Sequence, residues 1–326
     1  MEVSSLDLRI LRYSLEHGLL ASEREIARKL KISPSTLSFK FRKFEDRGII
    51  TAYRYRVDFA KLGLGQIAWI FVKLRFGGKS IRKVMDSFLE HPEVHVCLYT
   101  SGRFNLALKV YGRSLEEIGR FAEKILTEHR SEVVAHKTSF VEKVLKSHNM
   151  ECGDGKKIAA DETDIAILSE KMVNPKSSLN DVAKKLKLHR NTVSVRWKKL
   201  LDGKVVVKKT PIINPELHRA IGIYFMAVNL IKSRPKKQHA LCTELLSMNE
   251  VHELNVMDAG SKYDIIAILR TNDMNSYYTL LNNSVFGAKK ISGAIMELNS
   301  KIILSSDSRR HTYLKDLGME KILEKN

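Results

Sequence analysis

The fold is decided by a basic stretch that occurs twice, as KLKISPSTLSFKFRKFEDRGII at residues 29–50 and as KLKLHRNTVSVRWKKLLDGKVV at residues 185–206. In the first copy, Ser33 followed by Pro34 is typical of a helix N-terminus. Each copy then repeats an apolar residue at i, i+4 and i+7, which predicts one buried stripe along a helix. The stripe residues are Leu37, Phe41 and Phe44 in the first copy and Val193, Trp197 and Leu200 in the second.

The segments on either side predict a small helical domain with a β appendage. Ser22 and Glu25 form a capping-box pattern just before the repeated stretch. Gly48 and Gly203 end the striped helices. The following IITAYRYRV alternates in the manner of a short hairpin, which predicts the wing of a winged helix-turn-helix.

The similarity between the two halves continues well beyond these stretches. DLRILRYSLEHG from Asp7 matches DIAILSEKMVNP from Asp164, and HPEVHVCLYTSGRFNLALKV from His91 matches MNEVHELNVMDAGSKYDIIAIL from Met248. The offset drifts only from 156 to 159 residues. We therefore interpret the chain as a tandem duplication of a unit of about 155 residues.

The second part of each unit predicts a β-α-β-β-α-β order, as in ferredoxin-like domains. The fold class is therefore α+β: two copies of a winged helix-turn-helix, each followed by a ferredoxin-like βαββαβ domain. The predicted boundaries are 1–60 and 163–216 for the winged helix-turn-helix domains, 64–147 and 220–306 for the βαββαβ domains, 148–162 for a linker and 307–326 for a basic C-terminal tail.

The charge favours a polyanionic partner. The chain has 326 residues and a formal net charge of +19. Residues 24–56 hold ten Lys and Arg against three Asp and Glu, and residues 181–209 hold ten against two. Because the excess is concentrated in the two repeated stretches, double-stranded DNA is the expected partner. Three well-separated cysteines and no long apolar run predict a reduced, cytoplasmic, nucleoid-associated protein without a membrane span.

The striped helices carry the predicted DNA-binding residues. With the apolar stripe facing the domain core, small polar residues near the N-terminus can reach base edges in the major groove, and later cations can meet phosphates. Asn191 suits adenine, Arg196 suits guanine, and the outward apolar Phe39 and Val195 suit thymine methyl groups. The predicted DNA-binding residues are Ser35, Thr36, Ser38, Phe39, Lys40, Arg42, Lys43, Arg190, Asn191, Thr192, Ser194, Val195, Arg196, Lys198 and Lys199.

These motifs resemble a known family. ISPSTLSFKFRKFEDRGII is similar to the helix-turn-helix of the Lrp/AsnC (feast/famine) transcription regulators, and the βαββαβ part resembles their effector-binding RAM domain. The resemblance implies sequence-specific DNA binding and amino-acid effectors held between RAM domains. Two features depart from the family: Phe39 and Val195 stand where a basic residue is common, and the family normally has one unit per chain.

The duplication predicts how the two halves work together. The two RAM-like domains can pair within the chain as a pseudo-dimer, or each can pair with its equivalent on another chain in a homo-oligomer. Since the reading positions differ between copies, the preferred operator is expected to be asymmetric, with two unlike half-sites.

The turns around Gly102 and Gly260 are the candidate effector loops. Glycine at a tight turn typically supplies a positive φ, which alone explains its presence. The family resemblance adds a small-molecule role for these loops, in which Arg103 would hold a carboxylate and Asp264 an ammonium. The candidate effector residues are Gly102, Arg103, Asn105, Gly260, Ser261, Tyr263 and Asp264.

Two other functions stay open at this point. Siroheme decarboxylases use the Lrp/AsnC fold, although the chain has no arginine-tyrosine-glycine-alanine run like theirs before the central turn. A nucleoid-architecture protein that coats DNA without sequence preference would also suit the charge. The chain contains no Walker, GxGxxG, HExxH or GxSxG motif, so we expect no cofactor, no catalytic residue and no metal.

Overall fold

A computed structural model of the chain describes residues 3–63, 65–75, 80–147, 150–151, 157–218, 220–221, 225–286 and 293–308. The chain forms two compact units, and each unit combines segments from both halves of the sequence. Unit 1 contains residues up to 62 together with 157–222, and unit 2 contains residues 63–156 and 223–309. The two helix-turn-helix segments therefore share one unit, and the two βαββαβ segments share the other.

The helices and strands follow the predicted order in both halves. The helices are α1 Ser5–Glu16, α2 Glu23–Leu30, α3 Pro34–Asp46, α4 Ile81–Leu89, α5 Leu115–Glu128, α6 Glu162–Val173, α7 Leu179–Leu186, α8 Arg190–Asp202, α9 Gln238–Ser247 and α10 Met274–Leu280. The strands are β1 Ile50–Val57, β2 Gln66–Leu74, β3 Val94–Thr100, β4 Leu106–Gly112, β5 Val133–Ser147, β6 Met150–Glu151, β7 Val206–Ile213, β8 Phe225–Ser233, β9 Val251–Met257, β10 Ile265–Thr271 and β11 Ile295–Ser308.

Reciprocal capping boxes start helices α1, α2, α6 and α7 of unit 1. The predicted capping box is present, since Ser22 Oγ accepts from the Glu25 N–H at 3.3 Å and Glu25 accepts from the Ser22 N–H at 3.1 Å. Helices α1, α6 and α7 begin with the same device, in which the third helical residue is an aspartate. Each box satisfies backbone donors that a helix N-terminus would otherwise leave without partners.

The predicted wing hairpin is wrong. Residues 50–57 form the single strand β1, which pairs antiparallel with β7 from the second half of the sequence. Tyr55 lies opposite Lys209 in this ladder. Residues 50–57 contain no Gly, Asn, Asp or Pro that would favour a tight turn, so they form one strand, and the partner strand comes from the second half of the sequence.

The strands of unit 2 form a closed ring. Its order is β2-β4-β3-β11-β8-β10-β9-β5, with β5 returning to pair with β2 and the short β6 added to β5. Each half of the sequence supplies one four-stranded antiparallel sheet of the ferredoxin-like type. The two sheets join edge to edge, where β3 pairs with β11 and β5 pairs with β9.

Three apolar clusters hold unit 2 together. One lies between the first sheet and helices α4 and α5, and a second lies between the second sheet and helices α9 and α10. The third, which we call the inter-sheet core, contains inward residues of both sheets, including Trp69, Leu98, Val228 and Ile268. Burial of this third surface stabilises the pairing of the two sheets.

Some predictions fall on residues outside the description. These are residues 148–149 and 152–156 of the 148–162 linker and all but the first two residues of the 307–326 tail, since β11 continues to Ser308. Across the part of the chain that the structure does describe, no helix has the length and apolar character needed to cross a bilayer.

Candidate nucleic-acid interface

The same tight turn precedes α3 and α8. Lys31 caps the C-terminus of α2 with φ +56°, and Lys187 caps that of α7 with φ +54°. The left-handed residue reverses the chain, and the next N–H then bonds back to the preceding helix: Ile32 to the Ala27 carbonyl at 3.0 Å and Leu188 to the Ala183 carbonyl at 2.9 Å. We call α3 and α8 the reading helices, since each is the second helix of a helix-turn-helix.

The buried stripe of each reading helix is confirmed for five of its six predicted residues. Leu37 and Phe44 of α3 are buried, as are Val193, Trp197 and Leu200 of α8. Phe41 is only partly buried and packs edge-on against Phe44 with ring centroids 6.2 Å apart. The stripe orients each helix so that its opposite side faces outward.

The outward side carries an exposed apolar residue at the same position in both copies. Phe39 is 62% exposed and Val195 is 69% exposed, as the sequence predicted. The exposed predicted residues around them, which we call the reading faces, are Ser35, Phe39, Arg42 and Lys43 on α3 and Arg190, Asn191, Thr192, Ser194, Val195, Lys198 and Lys199 on α8.

Lys40 is a correction to the predicted outward set. Its Nζ lies 2.7 Å from Asp7 Oδ1, and the two side chains are only 17% and 9% exposed. Asp7 is the third residue of α1, where its carboxylate also accepts from the Ser4 N–H. Lys40 therefore ties its reading helix to α1 rather than extending freely toward solvent.

Arg196 is the equivalent correction in the second copy. Its Nη1 lies 2.5 Å from Asp161 Oδ2 and 3.1 Å from Asp164 Oδ1, and Asp164 is fully buried. Lys199 adds a contact of 2.6 Å to Asp164 Oδ2 while its side chain stays 44% exposed. The guanidinium predicted to read guanine is thus bound to carboxylates of its own domain.

The hydroxyls of α3 are also engaged locally. Ser33 Oγ accepts from the Thr36 N–H at 3.0 Å and lies 2.8 Å from Ser35 Oγ and 2.7 Å from Thr36 Oγ1. Ser38 Oγ donates to Glu23 Oε2 on α2. Thr36 and Ser38 are therefore partly buried, while Ser35 stays exposed.

The acidic anchors have shifted protonation. Hydrogen bonding to Arg196 lowers the pKa of Asp161. Burial acts to raise the pKa of Asp7, but hydrogen bonds from Lys40 and Ser4 outweigh it and lower that pKa. Both carboxylates therefore stay charged at pH values where an ordinary aspartate begins to take up a proton. The two ion pairs are intact at neutral pH and persist into the acidic range.

Sequence reasoning missed Asp7, Asp161 and Asp164 as anchors of the reading helices. A signal was present, because Asp7 and Asp164 are the acidic third residues of capping boxes at equivalent positions of the two copies. An acid kept at a helix start, together with a cation kept at 40 and 196, indicates an ion pair inside each domain.

The first candidate effector loop has one exposed cation, and its other polar side chains form hydrogen bonds with the backbone. Gly102 has φ +90°, as expected, and Arg103 is exposed. Asn105 is buried, and its Oδ1 accepts from the Leu74 N–H at 2.8 Å. Lys301, which the sequence did not single out, donates to the Phe104 carbonyl at 3.0 Å.

The second loop is held by its own hydrogen bonds. Gly260 does not have a positive φ, so that expectation is wrong. Asp264 lies 2.7 Å from Lys232 Nζ and accepts from the Ser233 N–H at 2.7 Å. Ser261 donates to Asp258, and Tyr263 donates to Glu297 at 2.7 Å. The polar groups predicted to meet a ligand already have partners within the fold.

Two family models match the first half of the chain by sequence. A family described as winged helix-turn-helix DNA-binding matches residues 4–51, and the Lrp/AsnC ligand binding domain matches residues 68–150. An uncharacterized HTH-type transcriptional regulator of Pyrococcus furiosus is 31% identical over 39% of this chain and 84% of its own length. The proline dehydrogenase transcriptional activator of Rhodobacter capsulatus is 31% identical over 43% of this chain and 89% of its own.

Among solved structures, similarity over the whole chain exists at the level of fold. The siroheme decarboxylase NirDL, in complex with an iron-uroporphyrin III analogue, superimposes with a TM-score of 0.61 over 97% of this chain and 96% of its own. Another structure of the same decarboxylase superimposes with a TM-score of 0.59. The identities are 13% and 14%, so these matches describe the fold alone.

Proposed function

Since this chain belongs to the Lrp/AsnC family of transcriptional regulators, we propose that it binds a specific double-stranded DNA site with both reading helices. The observation that carries the proposal is the exposure of Phe39 and Val195 on helices whose opposite stripe is buried. Both side chains are mostly exposed, so burial against the described part of the domain does not explain their positions. A major groove offers such residues thymine methyl groups and offers their cationic neighbours phosphates.

The proposed operator has two unlike half-sites. The reading faces share their geometry but differ in chemistry, since α3 offers Ser35 and Phe39 where α8 offers Asn191 and Val195. A tandem duplication of one ancestral unit accounts for the shared geometry and for the matched sequences of the two halves. The paired sheets of unit 2 then take the place of a dimer of separate chains, and further assembly into homo-oligomers stays compatible with this arrangement.

The ion pairs of Lys40 and Arg196 narrow the set of DNA-contacting residues. A cation already neutralised by a carboxylate adds little to phosphate attraction. The proposed contacts are therefore the reading faces without Lys199, which is paired with Asp164. Arg42, Lys43, Arg190 and Lys198 would lie at the phosphates and Asn191 at a base edge.

Selection of binding sites from random DNA tests the proposal. The wild-type chain is expected to select an asymmetric sequence with two half-sites about one helical turn apart. A Phe39→Ala/Arg42→Ala variant should lose preference in one half only, and a Val195→Ala/Lys198→Ala variant in the other. A perfect palindrome would contradict the unlike half-sites. Equal affinity for selected and random DNA would favour an architectural protein instead.

An amino-acid-like effector at the RAM-type loops is part of the proposal. The matched ligand-binding family supports a ligand, and exposed Arg103 is the group in the first loop suited to a carboxylate. The partners already held by Asn105 and Asp264 argue for a ligand contacted by loop backbone and Arg103. Calorimetry against a panel of amino acids tests this, with an Arg103→Ala variant as the matched control. Absence of binding heat for every member would remove the effector.

A siroheme-decarboxylase-like activity is the second candidate. The similarity to NirDL in fold over nearly the whole chain favours it. The exposed cationic reading faces and the relatives named as regulators favour the first candidate. Incubating the purified chain with an iron tetrapyrrole separates the two. A bound absorbance band and released carbon dioxide would establish the enzyme, whereas an unchanged tetrapyrrole is expected.

A further inference from the structure

The inward faces of the two sheets of unit 2 meet at a buried ion pair. Lys109 of β4 donates through Nζ to Glu253 Oε1 of β9, and the side chains are 1% and 4% exposed. Asn255 Nδ2 donates to the same carboxylate oxygen at 2.9 Å. The ammonium also lies 6.0 Å from the Trp69 ring centroid and 5.6 Å from that of Tyr111. The pair therefore sits within the otherwise apolar inter-sheet core.

The pair is not repeated by the internal symmetry of the unit. In the matched strands, the position of Lys109 is Ile268 in the second half, and the position of Glu253 is Val96 in the first half. Val96 lies directly opposite Lys109 on β3, and Ile268 lies directly opposite Glu253 on β10. Ile268 belongs to the inter-sheet core and Val96 packs against it. Each sheet thus contributes one charge and one apolar residue at corresponding positions.

Pairing between two sheets of the same kind would leave each of these charges without its ion-pair partner. Two copies of the first sheet would bring each Lys109 against a Val96. Two copies of the second would bring each Glu253 against an Ile268. Removing one partner from a buried ion pair is strongly destabilising, because the remaining charge loses its compensation without regaining water.

Arg270 is a second cation that acts on Glu253, through the attraction of its charge. It lies on β10 in the same sheet as Glu253, and its buried Nε has no hydrogen-bond partner among the described residues. Glu253 Oε1 instead receives Lys109 and Asn255. Within the second sheet, Glu253 therefore has a neutral hydrogen bond from Asn255 and the charge attraction of Arg270, whereas its hydrogen-bonded cation, Lys109, comes from the first sheet.

We infer that the contact between Lys109 and Glu253 determines partner choice: it allows the first sheet to pair only with a sheet of the second kind and blocks self-pairing between chains. The apolar surroundings supply most of the stabilisation, and the ion pair supplies the discrimination. The partner that fits the inward face of residues 66–112 is thus the sheet of residues 225–271, which the same chain carries.

A double-mutant cycle on the full-length chain is the first test. Lys109→Met and Glu253→Met should each lower the folding equilibrium constant in urea by about 100-fold. The double Met variant should recover to within about tenfold of wild type, since two apolar groups replace the pair. Additive effects with no coupling would overturn the inference. Ile268→Val is the matched control at the symmetry-related contact and should show no coupling with Lys109→Met.

Partner choice itself is measured by refolding a mixture of ¹⁵N-labelled and unlabelled chains and cross-linking the product. In the double Met variant, mass spectrometry should find links between equivalent sheets of two chains about tenfold more often than in wild type. If links between unlike sheets prevail equally in both, shape alone selects the partner and the inference fails.

A charge-reversal mixture keeps the test decisive if the Met variants fold poorly. Lys109→Glu and Glu253→Lys chains each carry like charges at the contact, yet together they can form two correct pairs by exchanging sheets. The mixture should yield a heterodimer that neither chain forms alone. Recovery of folded protein no better than from the separate chains would count against the inference.

Discussion

The two helix-turn-helix domains present the same apolar geometry but fix their reading helices with different ionic contacts. In the first, one ion pair joins Lys40 to Asp7. In the second, Arg196 and Lys199 converge on Asp161 and on the fully buried Asp164. In both domains, the central cation of the reading helix, Lys40 or Arg196, binds carboxylates of its own domain. The residues that lie around that cation are then the ones proposed to contact DNA.

A second difference between the two domains lies at the equivalent positions 14 of α1 and 171 of α6. Ser14 is buried and donates to the Ile10 carbonyl at 2.7 Å. Lys171 is also buried, lies over the rings of Tyr55 and Trp197, and donates to the Ser177 carbonyl. The second domain therefore buries an ionisable group where the first buries a neutral one, so the two should respond differently to pH.

The largest expected effect comes from neutralising the acidic anchors. Asp164→Asn should lower the free energy of unfolding by about 3 kcal/mol, because two cations lose a buried carboxylate. Asp7→Asn should cost about 1.5 kcal/mol, since only Lys40 is left unpaired. Urea unfolding of the full chain measures both, with the exposed Asp202→Asn expected to change stability by less than about 0.5 kcal/mol. Equal costs at the two anchors would erase the proposed difference between the domains.

The next effect is a pH dependence that arises from Lys171 in the second domain. Burial, helped by the charge of Lys209, lowers the pKa of Lys171 from 10.5 to about 8. Between these values the unfolded chain binds the extra proton, so stability should rise with pH. We expect a gain of about 1–2 kcal/mol from pH 7 to pH 9.5, discounted for partial solvent screening. Thermal unfolding of Lys171→Met should show a smaller rise, because Lys209, whose pKa is also lowered by burial, is still present. The exposed Lys184→Met should keep the full rise.

Local patterns in the sequence predicted the helices and the sides of them that are buried, because these depend on the spacing of neighbouring residues. The apolar stripes gave the orientation of α3 and α8, and therefore the exposure of Phe39 and Val195. The partner of β1 could not be found this way, because strand alternation predicts a buried face but not which distant strand completes the ladder. Charge was similarly ambiguous for Lys40 and Arg196, since a cation is attracted to a nearby carboxylate as readily as to a phosphate.

Arg42 and Lys40 offer a direct comparison between an exposed cation and an anchored one. Arg42→Ala should weaken DNA binding by about 1 kcal/mol at physiological salt and should reduce the slope of log affinity against log salt by about 1. Lys40→Met should lower the free energy of unfolding and leave that slope nearly unchanged. Fluorescence anisotropy over a range of salt concentrations distinguishes them. Equal slope changes would place Lys40 at a phosphate after all.

The smallest expected effect concerns the exposed apolar residues themselves. If Phe39 and Val195 contact thymine methyl groups, replacing thymine by deoxyuracil in the selected site should cost wild type about 0.5–0.8 kcal/mol for each methyl lost. Phe39→Ala should become indifferent to that replacement in one half-site, and Val195→Ala in the other. Leu115→Ala, which truncates an exposed apolar residue on α5, should keep the full sensitivity. Because Phe39 and Val195 are solvent-exposed, both truncations should leave the free energy of unfolding within about 0.5 kcal/mol of wild type. A loss of sensitivity that appears in both half-sites with either variant would mean that the two reading helices do not address separate halves.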